Sequence, residues 1–181
     1  MTLHIENVLH FWFEEITPAQ HFAQDDAVDA MVRLRFGAVL LQAQQCELWA
    51  WRSTSQGRLA EIVVLDQFSR NIYRHTPSAF GQDAQALVLA QELVAGGHDA
   101  VLSAPQRAFA YMPYMHSESL VVHEKALSLY DQPGLEYNLA FEVKHRDILA
   151  RFGRYPHRNA VLGRASTEAE IAFLAQPGSS F

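Results

Sequence analysis

Residues 58 to 74 place apolar side chains at helical spacing on more than one side. At about 100° per residue, Leu59, Ile62 and Val63 share a face with Asp66 and Arg70, while Leu65, Phe68 and Ile72 occupy the opposite face. A helix that is apolar nearly all round cannot lie on a surface and must be enclosed by other elements. The run Ile62-Val63-Val64-Leu65, taken alone, also suits a buried strand. The 3.6-residue pattern around it and the lack of turn signals select a helix.

Asp66 and Arg70 stand four residues apart inside the apolar stripe, and Arg74 follows one turn later. Burying one such charge alone costs several kcal/mol, so these groups require partners. Two outcomes are open: an internal ion pair that sets helix register, or Asp66 orienting Arg70, with Asn71 beside it, toward a ligand.

The remaining punctuation reads as further helices. Residues 3–15 carry apolar positions at helical spacing, and Thr17-Pro18 suits an N-cap with proline in the first turn. A second long helix is expected over 26–44, followed by a Trp-rich bend at 46–52 and a loop at 53–57. Thr76-Pro77 marks a turn, and Asp83 to Val94 reads as a helix closed by Gly96-Gly97. Ser103-Ala104-Pro105 opens a segment through Met112 that Pro113 is expected to interrupt. Helices follow over 117–130 and 138–152, the second ending at Gly153. A short element runs from Pro156 to Gly163, and Thr167 with Glu170 forms a capping box for a last helix through Leu174. Residues 176–181 are expected to be loosely held. With no linker, repeat or low-complexity segment, the chain reads as a single all-α domain over residues 1–181, an array of about eight to nine helices.

At 181 residues such a domain can bury a core without staples, and 49% hydrophobic with 19% charged residues argues against disorder. Cys46 is the only cysteine, so neither a disulfide framework nor a cysteine metal cluster is expected. No apolar stretch matches a membrane span and no leader-type pattern is visible, which points to a cytoplasmic chain without membrane contact. The net charge of −6 argues against general nucleic-acid binding, which needs basic side chains to neutralise phosphates.

Against that acidic balance, residues 151–164 hold Arg151, Arg154, Arg158 and Arg164 together with His157. Arginine is suited to forked pairing with carboxylate or phosphate. Gly153 and Pro156 would set Arg154, His157, Arg158 and Asn159 around the start of a helical turn, where free backbone N–H groups also favour an anion. Either these arginines line an anion pocket, or they bridge to Asp66, Asp83, Glu118 or Glu142 and tie the C-terminal segment down.

Histidines fall on apolar faces as well. His116 and His123 share a stripe with Leu120, Leu127 and Tyr130, and His145 shares one with Phe141, Ile148 and Leu149. They suit hydrogen-bonded core positions or acid/base groups. The two-turn spacing of 116 and 123 differs from His-Glu-x-x-His sites, so neither a metal nor another cofactor is expected. Ser117 is expected to cap the helix after His116, with Glu118 in its first turn. No Gly-x-Ser-x-Gly elbow is present, which removes the usual setting for a serine nucleophile.

Leu65-Asp66-Gln67-Phe68-Ser69-Arg70-Asn71-Ile72-Tyr73-Arg74, Met112-Pro113 with His116-Ser117-Glu118, and Arg151-Phe152-Gly153-Arg154-Tyr155-Pro156-His157-Arg158-Asn159 with Leu162-Gly163-Arg164 together form a pattern. It resembles the bacterial family called domain of unknown function 924, from Phe11-Trp12-Phe13 to Leu174. The resemblance implies an all-helical fold similar to tetratricopeptide-type assemblies, and it implies no catalytic role for any position. The chain departs from the family pattern at Cys46, where glycine is usual, at His21-Phe22, where Trp-Phe is usual, and at Ala165, where an acid often follows the arginine. Two functions are compatible with these residues. One is a small phosphate- or carboxylate-bearing ligand held by Asp66, Arg70, Asn71, Arg74, His116, Glu118, His145, Arg154, His157, Arg158, Asn159 and Arg164. The other is a scaffold for a protein or peptide partner, with the same residues as internal fastening.

Overall fold

The computed structural model describes residues 5–179. Its centre is the segment that the sequence marked as needing enclosure. Residues 55–72 form one continuous helix, here α4, with Thr54 as N-cap accepting from the Gly57 N–H. Leu59, Ile62, Val63, Leu65, Asp66 and Phe68 are all fully buried. Midway, Val64–Phe68 widens into a π-helical turn. Such single turns concentrate at functional positions, and this one carries Asp66 and Gln67.

The elements around it are α1 (residues 5–15, ending in a second π turn), α2 (Pro18–Phe22), α3 (Asp26–Gln44), α5 (Asp83–Ala95), α6 (Ala104–Met115), α7 (Leu120–Tyr130), α8 (Glu136–Phe152) and α9 (Glu168–Leu174). No strand occurs among the described residues, so these nine helices make an all-α fold. α4 packs against α1, α3, α5 and α6, while α7 packs between α6 and α8. Phe11, Phe36 and Phe68 bring α1, α3 and α4 together, with ring centroids 4.9–6.1 Å apart.

Short-range chemistry places most ends. Thr17, Ser103 and Thr167 each form a capping box with the Gln or Glu three residues on. Gly153 closes α8 at φ +70, a conformation glycine adopts without strain. Gly57 is required for space, because a Cβ there would lie 1.9 Å from the Trp51 carbonyl oxygen.

Several boundaries differ from expectation. The 53–57 loop is shorter, since α4 begins at Ser55. Pro113 does not end its helix, and α6 continues through Met115. Proline removes only one N–H, and the two remaining residues, Tyr114 and Met115, are buried well enough to hold the turn. Ser117 does not cap α7, which starts at Leu120 with Ser119 at the cap position. The expected first helix includes residues 3 and 4, which lie outside the described residues. In the C-terminal tail, Ser179 is buried and its hydroxyl donates to the Leu174 carbonyl, while residues 180–181 lie outside the described residues. No described helix is long and apolar enough to cross a membrane.

Candidate functional site

The polar residues singled out in sequence do not form one centre. They sort into five groups, and one of these combines charge, burial and partial access.

That group joins α4, the start of α5, the end of α6 and the turn Pro156–Arg158. Asp66 is fully buried, and its Oδ1 lies 2.8 Å from His116 Nδ1 and 3.2 Å from Arg70 Nη1. The Gln67 amide donates to its other oxygen. Arg70 also donates to the Asp66 carbonyl at 2.7 Å and forks onto Asp83 at 2.9 and 3.1 Å. Arg158 donates to the same Asp83 at 3.2 Å and to the His116 carbonyl at 3.0 Å. Its guanidinium carbon sits 4.7 Å from the ring centroids of both Phe80 and Tyr155. The buried Nε of Arg158 has no hydrogen-bond partner among the described residues.

The electrostatics follow from that crowding. Burial would raise the Asp66 carboxyl, but Arg70 and His116 outweigh it and hold the group well below the usual range. His116 is pushed down by burial and then by Arg70, so it is neutral near pH 7 and its Nδ1–H donates to Asp66. Burial and the neighbouring Arg70 likewise lower Arg158. Two guanidiniums thus balance two carboxylates, and one of these, Asp83, keeps about a fifth of its side chain exposed. Among the described residues it is the sole carboxylate that both arginines contact.

The other groups are internal fastenings. Arg74 forks onto Asp29 at 2.5 and 2.7 Å, and Asn71 donates to the same carboxylate at 2.7 Å, tying α4 to α3. Glu118 does not lie in the first turn of a helix. It accepts from Arg164 at 2.7 and 2.9 Å and from the Tyr155 N–H at 2.7 Å, and Asn159 steadies Arg164 at 3.0 Å. Arg164 therefore finds its counter-charge 46 residues away, and Ala165 beside it has no bearing on charge balance. Arg154 forks onto Glu170 at 2.7 and 2.8 Å and secures α9.

Sequence reasoning did not assemble the fifth group, around Tyr155. The hydroxyl of this fully buried ring donates to the Met115 carbonyl at 2.6 Å. The rings of His145, His157 and His123 lie 5.5–6.3 Å from it. Burial holds His145 at about 3, and burial together with Arg158 holds His157 at about 4. His123 Nδ1 meets Glu142 Oε1 at 2.5 Å with both side chains fully enclosed, and burial raises the Glu142 carboxyl. The apolar setting of each histidine was visible in sequence; their convergence on one tyrosine was not. No cluster of three or more His, Cys, Asp or Glu suited to a metal occurs among the described residues.

A recess of about 500 Å³ lies against Arg151, Phe152, Arg154, Thr167 and Glu170, and one of about 220 Å³ lies between Tyr130 and Leu139. Neither includes Asp66, Arg70, His116 or Arg158.

No curated protein matches the chain. A solved structure of a protein of unknown function from Agrobacterium tumefaciens aligns with a TM-score of 0.89 at 34% identity, covering 94% of this chain and 96% of that one. Residues 8–178 match the family described as "Bacterial protein of unknown function (DUF924)", and with nearly its whole length inside that match the chain belongs to this family.

Proposed function

We propose that the chain binds a small carboxylate- or phosphate-bearing ligand at the Arg70–Arg158 pair. One observation carries this reading: two guanidiniums share the single, partly exposed carboxylate of Asp83, and the buried Nε of one of them has no partner among the described residues. Asp83 occupies the place an anion would take. When it swings outward, the group retains Arg70, Arg158 and Asp66 and carries one net positive charge. An anion then restores balance with forked, charge-assisted hydrogen bonds between the flanking rings of Phe80 and Tyr155. His116, neutral and oriented by Asp66, supplies a further polar edge that can take up a proton when a dianion binds.

The test is thermal stabilisation of wild type, Asp83→Asn and Arg158→Lys by inorganic phosphate and by succinate, with chloride at matched ionic strength as control. A bound ligand at a hundredfold excess over its Kd stabilises by roughly 2–3 kcal/mol. Asp83→Asn removes the competing carboxylate and should respond more strongly than wild type, while Arg158→Lys should respond weakly. If neither anion shifts wild type or Asp83→Asn beyond chloride, the reading fails.

A second reading is favoured by a different observation, the exposed apolar residues of α3. In it the chain is an interaction scaffold similar to tetratricopeptide assemblies, and the Arg, Asp and His groups only fasten its helices. The closed pairing of Arg74, Arg154 and Arg164 supports this alternative.

A further inference from the structure

α3 is apolar on two sides, and the chain uses one of them. Val28, Val32, Phe36, Val39 and Leu40 are buried in the core. On the other side Ala27, Ala30, Met31, Leu34, Ala38 and Leu41 are all exposed, Leu34 at 87% and Leu41 at 51%. They recur at intervals of three and four residues, the spacing of a helix–helix seam and not of scattered surface apolar residues.

The edge of this stripe indicates what covers it. Asp26 and Arg33 are both exposed and lie along the same edge, seven residues or two turns apart. Arg33 donates to the Ile72 carbonyl at 2.6 Å and forms no ion pair among the described residues. In an antiparallel helix pair each edge meets its own counterpart running in reverse, so an acid and a base one heptad apart meet each other twice.

We propose that this stripe is the seam of a symmetric homodimer, with α3 of one copy packed antiparallel on α3 of a second copy. A two-fold axis near Ala30 sets Leu34 against the second copy's Ala27 and Met31 against the second copy's Ala30. The same axis brings Asp26 of each copy to Arg33 of the other. Large side chains thus face small ones, and alanine at the crossing point lets the axes approach to about 8 Å. Parallel pairing would set this edge against the opposite edge of the partner's stripe, and Asp26 and Arg33 would not meet. With the axis near Ala30 the two α3 helices overlap over residues 26–35, about 15 Å. So short a seam buries less than the roughly 1,200 Å² at which stable specific interfaces begin, so the dimer is reversible. The inference is independent of anion binding, because none of these residues touches Arg70, Asp83 or Arg158.

Sedimentation velocity of the full chain over a micromolar-to-millimolar concentration series tests it. Wild type should show a monomer–dimer equilibrium. Leu34→Arg should stay monomeric with an unchanged anion response, since this exposed side chain carries no core packing. Asp26→Arg and Arg33→Asp should each weaken the dimer about tenfold, a change of roughly 1.4 kcal/mol. The double exchange should recover it. A wild-type monomer across the series overturns the proposal, as does a Leu34→Arg variant that dimerises like wild type. Failure of the double exchange to recover the dimer overturns the antiparallel seam.

Discussion

Lowering the pH from 7 to 5 should cost this protein about 4 kcal/mol of folding stability, through two histidines packed against Tyr155. His145 and His157 have folded-state values of about 3 and about 4, against about 6.5 when unfolded. A base whose folded value is depressed binds its proton more readily in the unfolded chain. Stability is therefore full above about pH 6.5 and falls as pH drops from there toward the folded values. Each group contributes a slope approaching 1.36 kcal/mol per pH unit, so the pair approaches about 2.7, and each loses about 2 kcal/mol by pH 5. His116 and His21, both depressed chiefly by burial, add in the same direction. Glu142 works the other way: its raised carboxyl binds a proton first in the folded state and offsets part of the loss. The depressed carboxyls of Asp66, Asp29 and Glu118 act at lower pH, below their ordinary values near 4. The assay is urea unfolding followed by tryptophan fluorescence at fixed pH steps, with His145→Gln/His157→Asn as the comparison. The double variant should lose most of the slope between pH 6.5 and 5. A flat wild-type profile in that window, or an unchanged slope in the double variant, refutes the reasoning.

Arg52→Ala should destabilise by about 3–5 kcal/mol in urea unfolding at pH 7, because it leaves the fully buried Glu61 carboxylate without the fork that holds it at 2.7 and 2.8 Å. Much of that loss should be recovered in Arg52→Ala/Glu61→Gln, which removes the stranded charge. Cys46→Gly should stabilise by about 1 kcal/mol, since Cys46 sits at φ +60, where a side chain is strained and glycine is not. A drop in unfolding midpoint for that variant would show that the contact from Gln85 to Cys46 Sγ outweighs the strain.

Cys46 also shows how far sequence reading reaches. The family pattern placed glycine there, and the backbone of this chain still adopts the turn that glycine favours. The capping boxes at Thr17, Ser103 and Thr167 were legible for a related reason: each is complete within four residues. Pro113 misled because its effect depends on distance from the helix end and on the packing of Tyr114 and Met115. Of the site, Asp66 and Arg70 were visible as charges within an apolar stripe, and their mutual contact follows from i,i+4 spacing.

The sequence by itself determined that α4 is enclosed by other helices, because periodicity and burial are written into neighbouring residues. It also determined that polar groups on its inner face require partners, because an unpaired buried charge is too costly to keep. Tertiary structure alone decided who those partners are. His116 reaches Asp66 across 50 positions, Arg158 reaches Asp83 across 75, and Arg74 reaches Asp29 across 45. Any of several acids could satisfy an arginine chemically, and helix packing selects one by bringing it within about 3 Å. The arginine-rich segment of residues 151–164, a single feature in sequence, is for that reason divided among separate tasks. Arg154 and Arg164 hold helices and turns together, and Arg158 alone joins the centre of Asp66, Arg70 and Asp83.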